Sequence, residues 1–364
     1  MRVLVYHTGT EWSGTARAAA TLGRLLDASG AKVTASVRPD SMVEERFAIE
    51  GLDVAALDLE AGFREDVQRL RKVIGDYFVE VVLVTGAYEH RVAAAAIRLA
   101  GRGAIIRRLR SGERASGRVV DNLSARVAPA GWIFASESDR HASRLPSEAL
   151  GGAVVPLGVR TEHHDAVRLV PRTAFSFTGG GPTIVCVGDS EVRRRATALL
   201  RAVSLLLPRH PALRLLFVGR GTDDDDLRMH AAALGITRVA RFLGERRDHL
   251  GIMRSADIGW VLADGDEAAW GCLDFMALGV PLLAPANSVA RQYVADEITG
   301  ILLAQDDGPE SAASMTTLLA NTTDRRRMGD AARSRVAREF PESAMSEAIV
   351  DVVGRARDRE RWRR

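Results

Sequence analysis

The stretch of sequence that decides the fold reads Asp264-Gly-Asp-Glu-Ala-Ala-Trp-Gly-Cys-Leu-Asp274-Phe-Met-Ala-Leu-Gly-Val-Pro-Leu-Leu-Ala284. The apolar run Asp257–Ala263 before it and the run Val280–Ala284 at its end have the length and composition of buried parallel strands. Between them an acidic loop enters a short helix, which Gly279 ends at a C-cap position and Pro281 keeps from continuing. The stretch therefore predicts a strand–helix–strand unit of an α/β sheet.

The carboxylates of this stretch fall where a ligand would bind. Asp264, Asp266 and Glu267 follow the first strand, and open α/β sheets bind their ligands beyond the carboxyl ends of their strands. Asp274 comes two helical turns after Asp266, so both side chains can face the same side of the helix. A solvated acidic loop explains the same residues, so the stretch by itself leaves both interpretations open.

The stretch also resembles the signature of the retaining glycosyltransferases of family 4. That signature has an acidic residue, seven residues, a second acidic residue, and then a small-Met-Ala-x-Gly-x-Pro run. Here Asp266, seven residues and Asp274 precede Phe275-Met-Ala-Leu-Gly-Val-Pro281. The family has glutamate at both acidic positions, and Ala269 stands where it has a glycine, with Gly271 nearby. The resemblance implies an α/β fold of GT-B architecture, with two Rossmann-like doubly wound domains facing a cleft.

Composition excludes several classes of protein. A chain of 364 residues predicts two domains, and a formal net charge of +3 shows no bias towards nucleic acid binding. Two cysteines, Cys186 and Cys272, predict a reducing compartment without a disulfide or zinc framework. No apolar run approaches the ~18 residues of a membrane span, and the sequence starts directly with a strand rather than a signal peptide. We therefore expect a cytoplasmic protein.

The first half opens with a βαβ pattern: a strand at Arg2–Tyr6, a helix over 15–29 and a strand at Lys32–Val37. The loop between them lacks G-x-G-x-x-G, and no P-loop motif occurs in the chain, so dinucleotide and P-loop sites are not indicated. In the family that the chain resembles, a glycine starting this helix lies near the donor phosphates. Gly14 matches that glycine, although it also fits a simple helix start.

Two further features of the first half suggest contacts with substrate. The family commonly has a histidine after the fourth strand, where it contacts the donor sugar or the acceptor, and His90 is the nearest match. The alternative is a partly exposed histidine at a helix start. Residues 102–126 are rich in arginine, namely Arg102, Arg107, Arg108, Arg110, Arg114, Arg118 and Arg126. They predict either an anionic acceptor or peripheral contact with the inner membrane face through the N-terminal domain, or else solvated surface charge.

The domain boundary is predicted near Pro156-Leu-Gly-Val159, which is similar to the family's crossing segment, with Arg160 in place of an aspartate. We predict an N-terminal, acceptor-side domain over 1–160, a polar linker over 161–182 and a nucleotide-sugar-binding domain over 183–341. By the same resemblance, the last helix, 342–364, packs back on the first domain.

The donor-binding residues are predicted from the same resemblance. In the family a glycine after the first strand of the second domain is followed by an arginine and, at a helix start, by a lysine that neutralises the diphosphate. Gly188 matches the glycine, Asp189 replaces the arginine, and Arg195, or its neighbour Arg194, takes the place of the lysine. Arginine keeps the phosphate chemistry, although surface arginines at a helix start are the alternative.

A loop after the strand 239–244 holds the nucleobase in the family, and Gly244 and Glu245 stand there in this chain. Gly271 completes the predicted donor-binding residues. By the same analogy Asp274 binds the ribose hydroxyls, and Asp266 or Glu267 meets the hydroxyls of the sugar.

The function predicted from the sequence is a retaining transfer of sugar from a nucleotide sugar to an unidentified acceptor, either a glycan, a lipid-linked or a small molecule. The nucleotide sugar is a substrate, and neither a cofactor nor a metal is expected. Two alternatives remain open. The departures from the motif suit a catalytically silent relative that binds a sugar nucleotide or a partner protein, and a sugar-nucleotide epimerase would use the same fold.

Overall fold

The computed structural model describes residues 1–57, 62–115, 126–146, 149–177, 180–188, 193–304 and 307–362, with backbone alone at 193–194 and 359–362. The chain forms two compact units. The first contains Met1–Leu157 and Ser343–Arg364, and the second contains Gly158–Glu342. Each is built from a parallel sheet with alternating helices, so the predicted α/β fold with two Rossmann-like domains is confirmed.

The first unit has a seven-stranded parallel sheet in the order β3-β2-β1-β4-β5-β6-β7. Its strands are β1 Arg2–Tyr6, β2 Lys32–Val37, β3 Asp53–Ala56, β4 Val81–Val84, β5 Ala104–Arg108, β6 Ala130–Phe134 and β7 Gly152–Val154. Its helices are Gly14–Ala28, Met42–Ile49, Phe63–Asp76, Ala87–Ala100, Glu137–His141 and, at the end of the chain, Glu342–Trp362. Strand β1 is buried on both faces from Val3 to Tyr6, which requires helices on both sides of the sheet.

The second unit has a six-stranded parallel sheet in the order β10-β9-β8-β11-β12-β13. Its strands are β8 Thr183–Val187, β9 Arg214–Val218, β10 Ala240–Phe242, β11 Ile258–Val261, β12 Leu282–Pro285 and β13 Gly300–Leu303. Its helices are Thr161–Ala166, Arg193–Leu206, Asp225–Ala233, His249–Arg254, Gly265–Ala277, Ser288–Tyr293, Gly308–Ala320 and Thr322–Glu339, with a 3-10 turn at Arg172–Phe175. The decisive stretch thus forms helix Gly265–Ala277 between β11 and β12, as its sequence predicts.

The segment that composition predicts as a linker, 161–182, has a different structure. It contains helix Thr161–Ala166, and the guanidinium of Arg254 holds the end of this helix by donating to the carbonyl oxygens of His164, Asp165 and Val167. Further along, Arg172 donates to the carbonyl of Ser255. These hydrogen bonds attach the described part of the predicted linker to the body of the second unit.

Candidate functional site

Three glycines follow three neighbouring strands at the carboxyl edge of the second sheet. Gly188 follows β8, Gly219 follows β9, and Gly244 comes shortly after β10. The Gly219 N–H donates to the Gly244 carbonyl at 2.9 Å, and the Gly188 N–H donates to the Val218 carbonyl at 3.3 Å. We call this set the glycine edge. It brings together two predicted donor residues, Gly188 and Gly244, through a third glycine between them.

The close approach of backbone at the glycine edge excludes side chains. Gly219 has φ of 126°, and a Cβ placed there would lie 2.1 Å from the Gly188 carbonyl oxygen. Only glycine fits both the backbone conformation and the space. The predicted nucleobase residue Glu245 follows directly and is exposed. The strand ends therefore pack backbone against backbone, with the carboxylate of Glu245 beside them.

Helix Gly265–Ala277, the acidic helix, begins at this same edge. Asp266 and Glu267 lie in its first turn, where the helix dipole favours negative charge. The Asp266 side chain is buried, and that of Glu267 is half-buried. At Gly271 a Cβ would lie 3.1 Å from a Val187 methyl and 3.2 Å from a Val261 methyl. The absence of a side chain at Gly271 thus lets the helix pack closely against β8 and β11, and its predicted contact with the donor stays a prediction.

Asp274, two turns along the acidic helix, is paired with a histidine that the sequence did not indicate. Its Oδ1 lies 2.9 Å from Nε2 of His164, and both side chains are almost fully buried, at 3% and 2% exposed. The other ring nitrogen of His164, Nδ1, is 2.9 Å from the Arg160 carbonyl oxygen. Because a carbonyl only accepts, Nδ1 carries a proton, and a second proton is shared between Nε2 and Oδ1.

Arg195 connects the start of helix Arg193–Leu206 to the start of the acidic helix. Its Nη1 donates to Oδ2 of Asp264 at 2.8 Å and makes longer contacts of 3.4 Å to the carbonyl oxygens of Leu262 and Ala263. Asp264 also accepts from Asn287 at 3.0 Å. The structure thus brings a predicted phosphate-binding cation to the predicted acidic site. The side chain of Arg194 and the whole of Asp189 lie outside the described residues.

The predicted residues of the first unit have other surroundings. Gly14 is the first residue of helix Gly14–Ala28, whose N-cap Ser13 accepts from the Ala16 N–H at 3.2 Å. His90 is fully buried with its ring 5.6 Å from that of Trp132. Neither ring nitrogen of His90 has a hydrogen-bond partner among the residues that the structure describes. This environment differs from the contact with sugar or acceptor that the resemblance implies for His90.

Burial sets the protonation of His90. Desolvation, and next the positive charge of Arg107, lower its pKa to about 3. An unfolded chain binds a proton at this residue near pH 6.5, so between pH 3 and 6.5 the unfolded state holds more protons than the folded one. His90 therefore destabilises the fold as the pH falls through this window and has no such effect above it.

We expect this effect to reach about 2 kcal/mol at pH 5, at about 1.4 kcal/mol per pH unit below 6.5. Urea unfolding of wild type and His90→Leu at pH 7.5 and pH 5.0 measures it. The variant should lose less stability than wild type between the two values, because leucine takes up no proton. Parallel losses in the two proteins would contradict the assignment.

A polar cluster at the carboxyl edge of the first sheet was missed by sequence reasoning. His7 follows β1 and its Nδ1 lies 3.0 Å from Oγ1 of Thr85, which follows the neighbouring strand β4. The Thr8 hydroxyl donates to Oε1 of Glu89 at 2.8 Å. Burial lowers the pKa of His7, while the charge of Glu89 acts in the opposite direction. The signal was present, since a histidine directly after a buried parallel strand lies at the carboxyl edge of its sheet, as the acidic loop does in the second unit.

The arginine-rich stretch is only partly a surface feature. Arg107 and Arg108 belong to strand β5 and are buried, and Arg107 pairs with Glu113 at 3.2 Å. Arg102 donates to the Phe78 carbonyl at 3.1 Å, whereas the other described arginines, Arg110, Arg114 and Arg126, are exposed. Arg118 lies outside the described residues. Within the described ranges no cluster of His, Cys, Asp or Glu could hold a metal ion, and no helix is long and apolar enough to span a membrane.

The match to a known protein family lies within the second unit. Residues 172–335 match the family model described as Glycosyl transferases group 1. This range includes the glycine edge, the acidic helix and Arg195.

Curated proteins that match this chain are named as glycosyltransferases. The phosphatidyl-myo-inositol mannosyltransferase of Mycolicibacterium smegmatis is 33% identical over 199 residues, 53% of this chain and 49% of that protein. The D-inositol 3-phosphate glycosyltransferase of Nocardia farcinica is 29% identical over 215 residues, 53% of this chain and 48% of that protein. The chain thus spans about half the length of the curated relatives it matches.

Solved structures match over nearly the whole chain. Anabaena HepE, solved in complex with UDP and glucose, superposes with a TM-score of 0.79 at 15% identity, covering 97% of this chain and 99% of its own. A glycosyltransferase from Rickettsia africae gives a TM-score of 0.79 at 14% identity, covering 98% of each chain. At such identities the likeness shows the fold, which is the GT-B fold of two Rossmann-like domains.

Proposed function

We propose that this protein is a retaining glycosyltransferase that moves a sugar from a nucleotide-sugar donor to an acceptor. The observation that carries the proposal is the match of residues 172–335 to the group 1 glycosyltransferase family. The matched range contains the second unit's carboxyl edge, where the glycine edge, Arg195 and the acidic carboxylates lie. Open α/β sheets bind nucleotides at that edge.

Each part of this edge suits one part of a nucleotide sugar. The glycine edge offers backbone groups to the base, and the exposed Glu245 lies beside it. Arg195 supplies a guanidinium for the diphosphate, and the first turn of the acidic helix supplies N–H groups and its positive dipole end. Asp266 and Glu267, in that first turn, are assigned to the sugar hydroxyls, and Asp274 to the ribose.

The reaction that these residues support is departure of a nucleoside diphosphate from the sugar. Negative charge then concentrates on the phosphate oxygens. Arg195 and the helix amides stabilise this charge, which is the electrostatic contribution that usually dominates catalysis of this kind. The proposal needs neither a metal nor an organic cofactor, and the nucleotide sugar is a substrate.

We propose that the acceptor is a glycan, a lipid-linked molecule or a small molecule. Two relatives carry names that refer to inositol-containing acceptors. A myo-inositol phosphate is therefore the first acceptor to assay.

A second candidate function follows from two contacts of the site. Arg195 is already paired with Asp264, and Asp274 is already paired with His164. Groups that are satisfied within the protein give up those contacts before they bind a ligand. This observation favours a sugar-nucleotide-binding relative that does not turn over its ligand.

Product analysis separates the two functions. Wild-type protein is incubated with radiolabelled UDP- and GDP-sugars and inositol phosphate, and products are separated by charge and size. Radiolabel that appears in a new glycoside supports a transferase. An anomeric configuration that NMR shows to be the same as in the donor supports the retaining mechanism. Saturable binding of the donor without any product supports the silent relative, and an altered sugar still on its nucleotide would show an epimerase.

We expect Arg195→Met to weaken binding of the nucleoside diphosphate by about 1.5–3 kcal/mol, because a charge-assisted contact to phosphate is lost. Binding of the bare nucleoside should stay the same. Titration calorimetry with UDP and uridine, or with GDP and guanosine, measures both.

The matched control is Asp264→Asn, which breaks the ion pair of Arg195 but keeps its guanidinium. This variant should bind the diphosphate as well as wild type does, or better. If it loses affinity as Arg195→Met does, Arg195 acts through Asp264 and the phosphate assignment is wrong.

A further inference from the structure

A basic cavity lies at the amino-terminal edge of the second unit's sheet. Its volume is about 530 Å³, within the ~300–1,000 Å³ of small-molecule sites. The side chains that matter for its chemistry are those of Arg172, His210, Arg214, Asp257 and Arg325. Arg214 is the first residue of β9, and Asp257 directly precedes β11.

The charges of this cavity do not balance. Arg172 pairs with Asp257 at 2.9 Å, which accounts for the carboxylate that lines the cavity. Arg214 and Arg325 form no ion pair with any of the residues that the structure describes. Two guanidinium charges therefore face one space without a counter-ion from the described protein.

Arg214 is the more unusual of the two. It is 7% exposed, and its Nε is buried without a hydrogen-bond partner among the described residues. The guanidinium of Arg214 lies over the ring of Phe177, and its central carbon is 5.5 Å from the ring centroid. A buried cation without acceptors costs free energy unless an anion compensates it.

Hydrogen bonds hold the guanidinium of Arg325 in place. Its guanidinium donates to the carbonyl oxygens of Leu318 and Leu319 and, at 3.0 Å, to the hydroxyl of Thr322. These contacts leave its Nε without a partner among the described residues. A fixed guanidinium loses little freedom when it binds a further acceptor.

We propose that this cavity binds a small anion bearing one or two phosphate groups, with Arg214 and Arg325 as its principal ligands. Guanidinium groups match phosphate geometrically, with two parallel N–H···O bonds, and such charge-assisted bonds are the stronger kind. The paired Arg172 and the ring of His210 complete the lining.

The basic cavity is distinct from the proposed donor site. The cavity lies at the amino ends of β8, β9 and β11, whereas the glycine edge and the acidic helix follow the carboxyl ends of the same strands. In a parallel sheet these ends lie on opposite edges, separated by the length of a five-residue strand, about 16 Å. An anion in the cavity is therefore a second ligand and not part of the donor.

Titration calorimetry with inorganic phosphate and with pyrophosphate, at constant ionic strength set by sodium chloride, tests the proposal. The titrations use the Arg195→Met protein, in which binding at the proposed diphosphate site is weakened, and they compare variants of the cavity on that same background. We expect saturable binding of at least one of the two anions. Adding Arg214→Met should raise the dissociation constant at least tenfold, which corresponds to about 1.4 kcal/mol.

The matched control is Arg238→Met, which removes an exposed arginine of the same unit that does not line the cavity. It should leave the dissociation constant unchanged. Arg325→Gln is a second cavity variant and should also raise the dissociation constant at least tenfold. It replaces Arg214→Met in the test if circular dichroism shows that Arg214→Met does not fold. No binding of either anion, or equal losses in the control and in a folded cavity variant, would overturn the proposal. Because these titrations are made without Arg195, a negative result for the cavity does not bear on the proposed glycosyltransferase function.

Discussion

We expect His164→Leu to lower the free energy of unfolding by about 3–5 kcal/mol, because it removes the imidazole that is hydrogen-bonded to the buried Asp274 carboxylate. Both side chains are almost fully buried, and their hydrogen bond of 2.9 Å shares a proton. Asp274→Leu should cost a similar amount for the same reason. Urea denaturation followed by circular dichroism measures each variant.

The double variant His164→Leu, Asp274→Leu is the decisive comparison. Replacing both members of a buried polar pair by apolar groups removes the uncompensated charge, so the double variant should be more stable than either single one. His163→Leu, an exposed neighbour, controls for the loss of a histidine and should change stability by less than about 1 kcal/mol. Additive losses in the two single variants would show that His164 and Asp274 act independently.

The second large effect is expected at the glycine edge. Gly219→Ala should lower the free energy of unfolding by about 2–6 kcal/mol, because two separate costs add. An alanine at φ of 126° is strained, and its Cβ would meet the Gly188 carbonyl oxygen at 2.1 Å. Thermal and urea unfolding of the variant measure the sum.

Gly235→Ala separates the two costs. Gly235 also has positive φ, at 69°, but nothing lies within 4 Å of the position of its Cβ. Its replacement should cost only the backbone strain, about 1–2 kcal/mol. Equal losses at the two positions would show that the strand ends at the glycine edge are free to move apart.

The fold could be predicted because its strands are buried on both faces. Such strands are continuous apolar runs, and the prediction of Lys32–Val37 agrees with the observed strand residue for residue. The acidic helix was predicted because Gly279 and Pro281 mark its end, and the structure ends it at Ala277.

The site was predicted less completely, because several of its contacts join residues far apart in sequence. His164 lies 110 positions from Asp274, and its neighbours are polar, so composition placed it in a linker. The pairing of Arg195 with Asp264 spans 69 positions, and neither residue's sequence context indicates the other. Local patterns predict strands and caps, whereas such pairs depend on how the sheet brings distant loops together.

The glycine edge limits which residues can change if this protein evolves a preference for a different nucleotide. Ordinary binding sites adapt through exchange of side chains, but the surface that we assign to the nucleobase is the main chain itself, and its central position does not tolerate even a methyl group. Selection for a different nucleotide therefore has to act on the residues that border the edge, beginning with the exposed Glu245 and its neighbour Arg246. Libraries that aim to change the preferred nucleotide should randomise those two positions and leave the three glycines untouched.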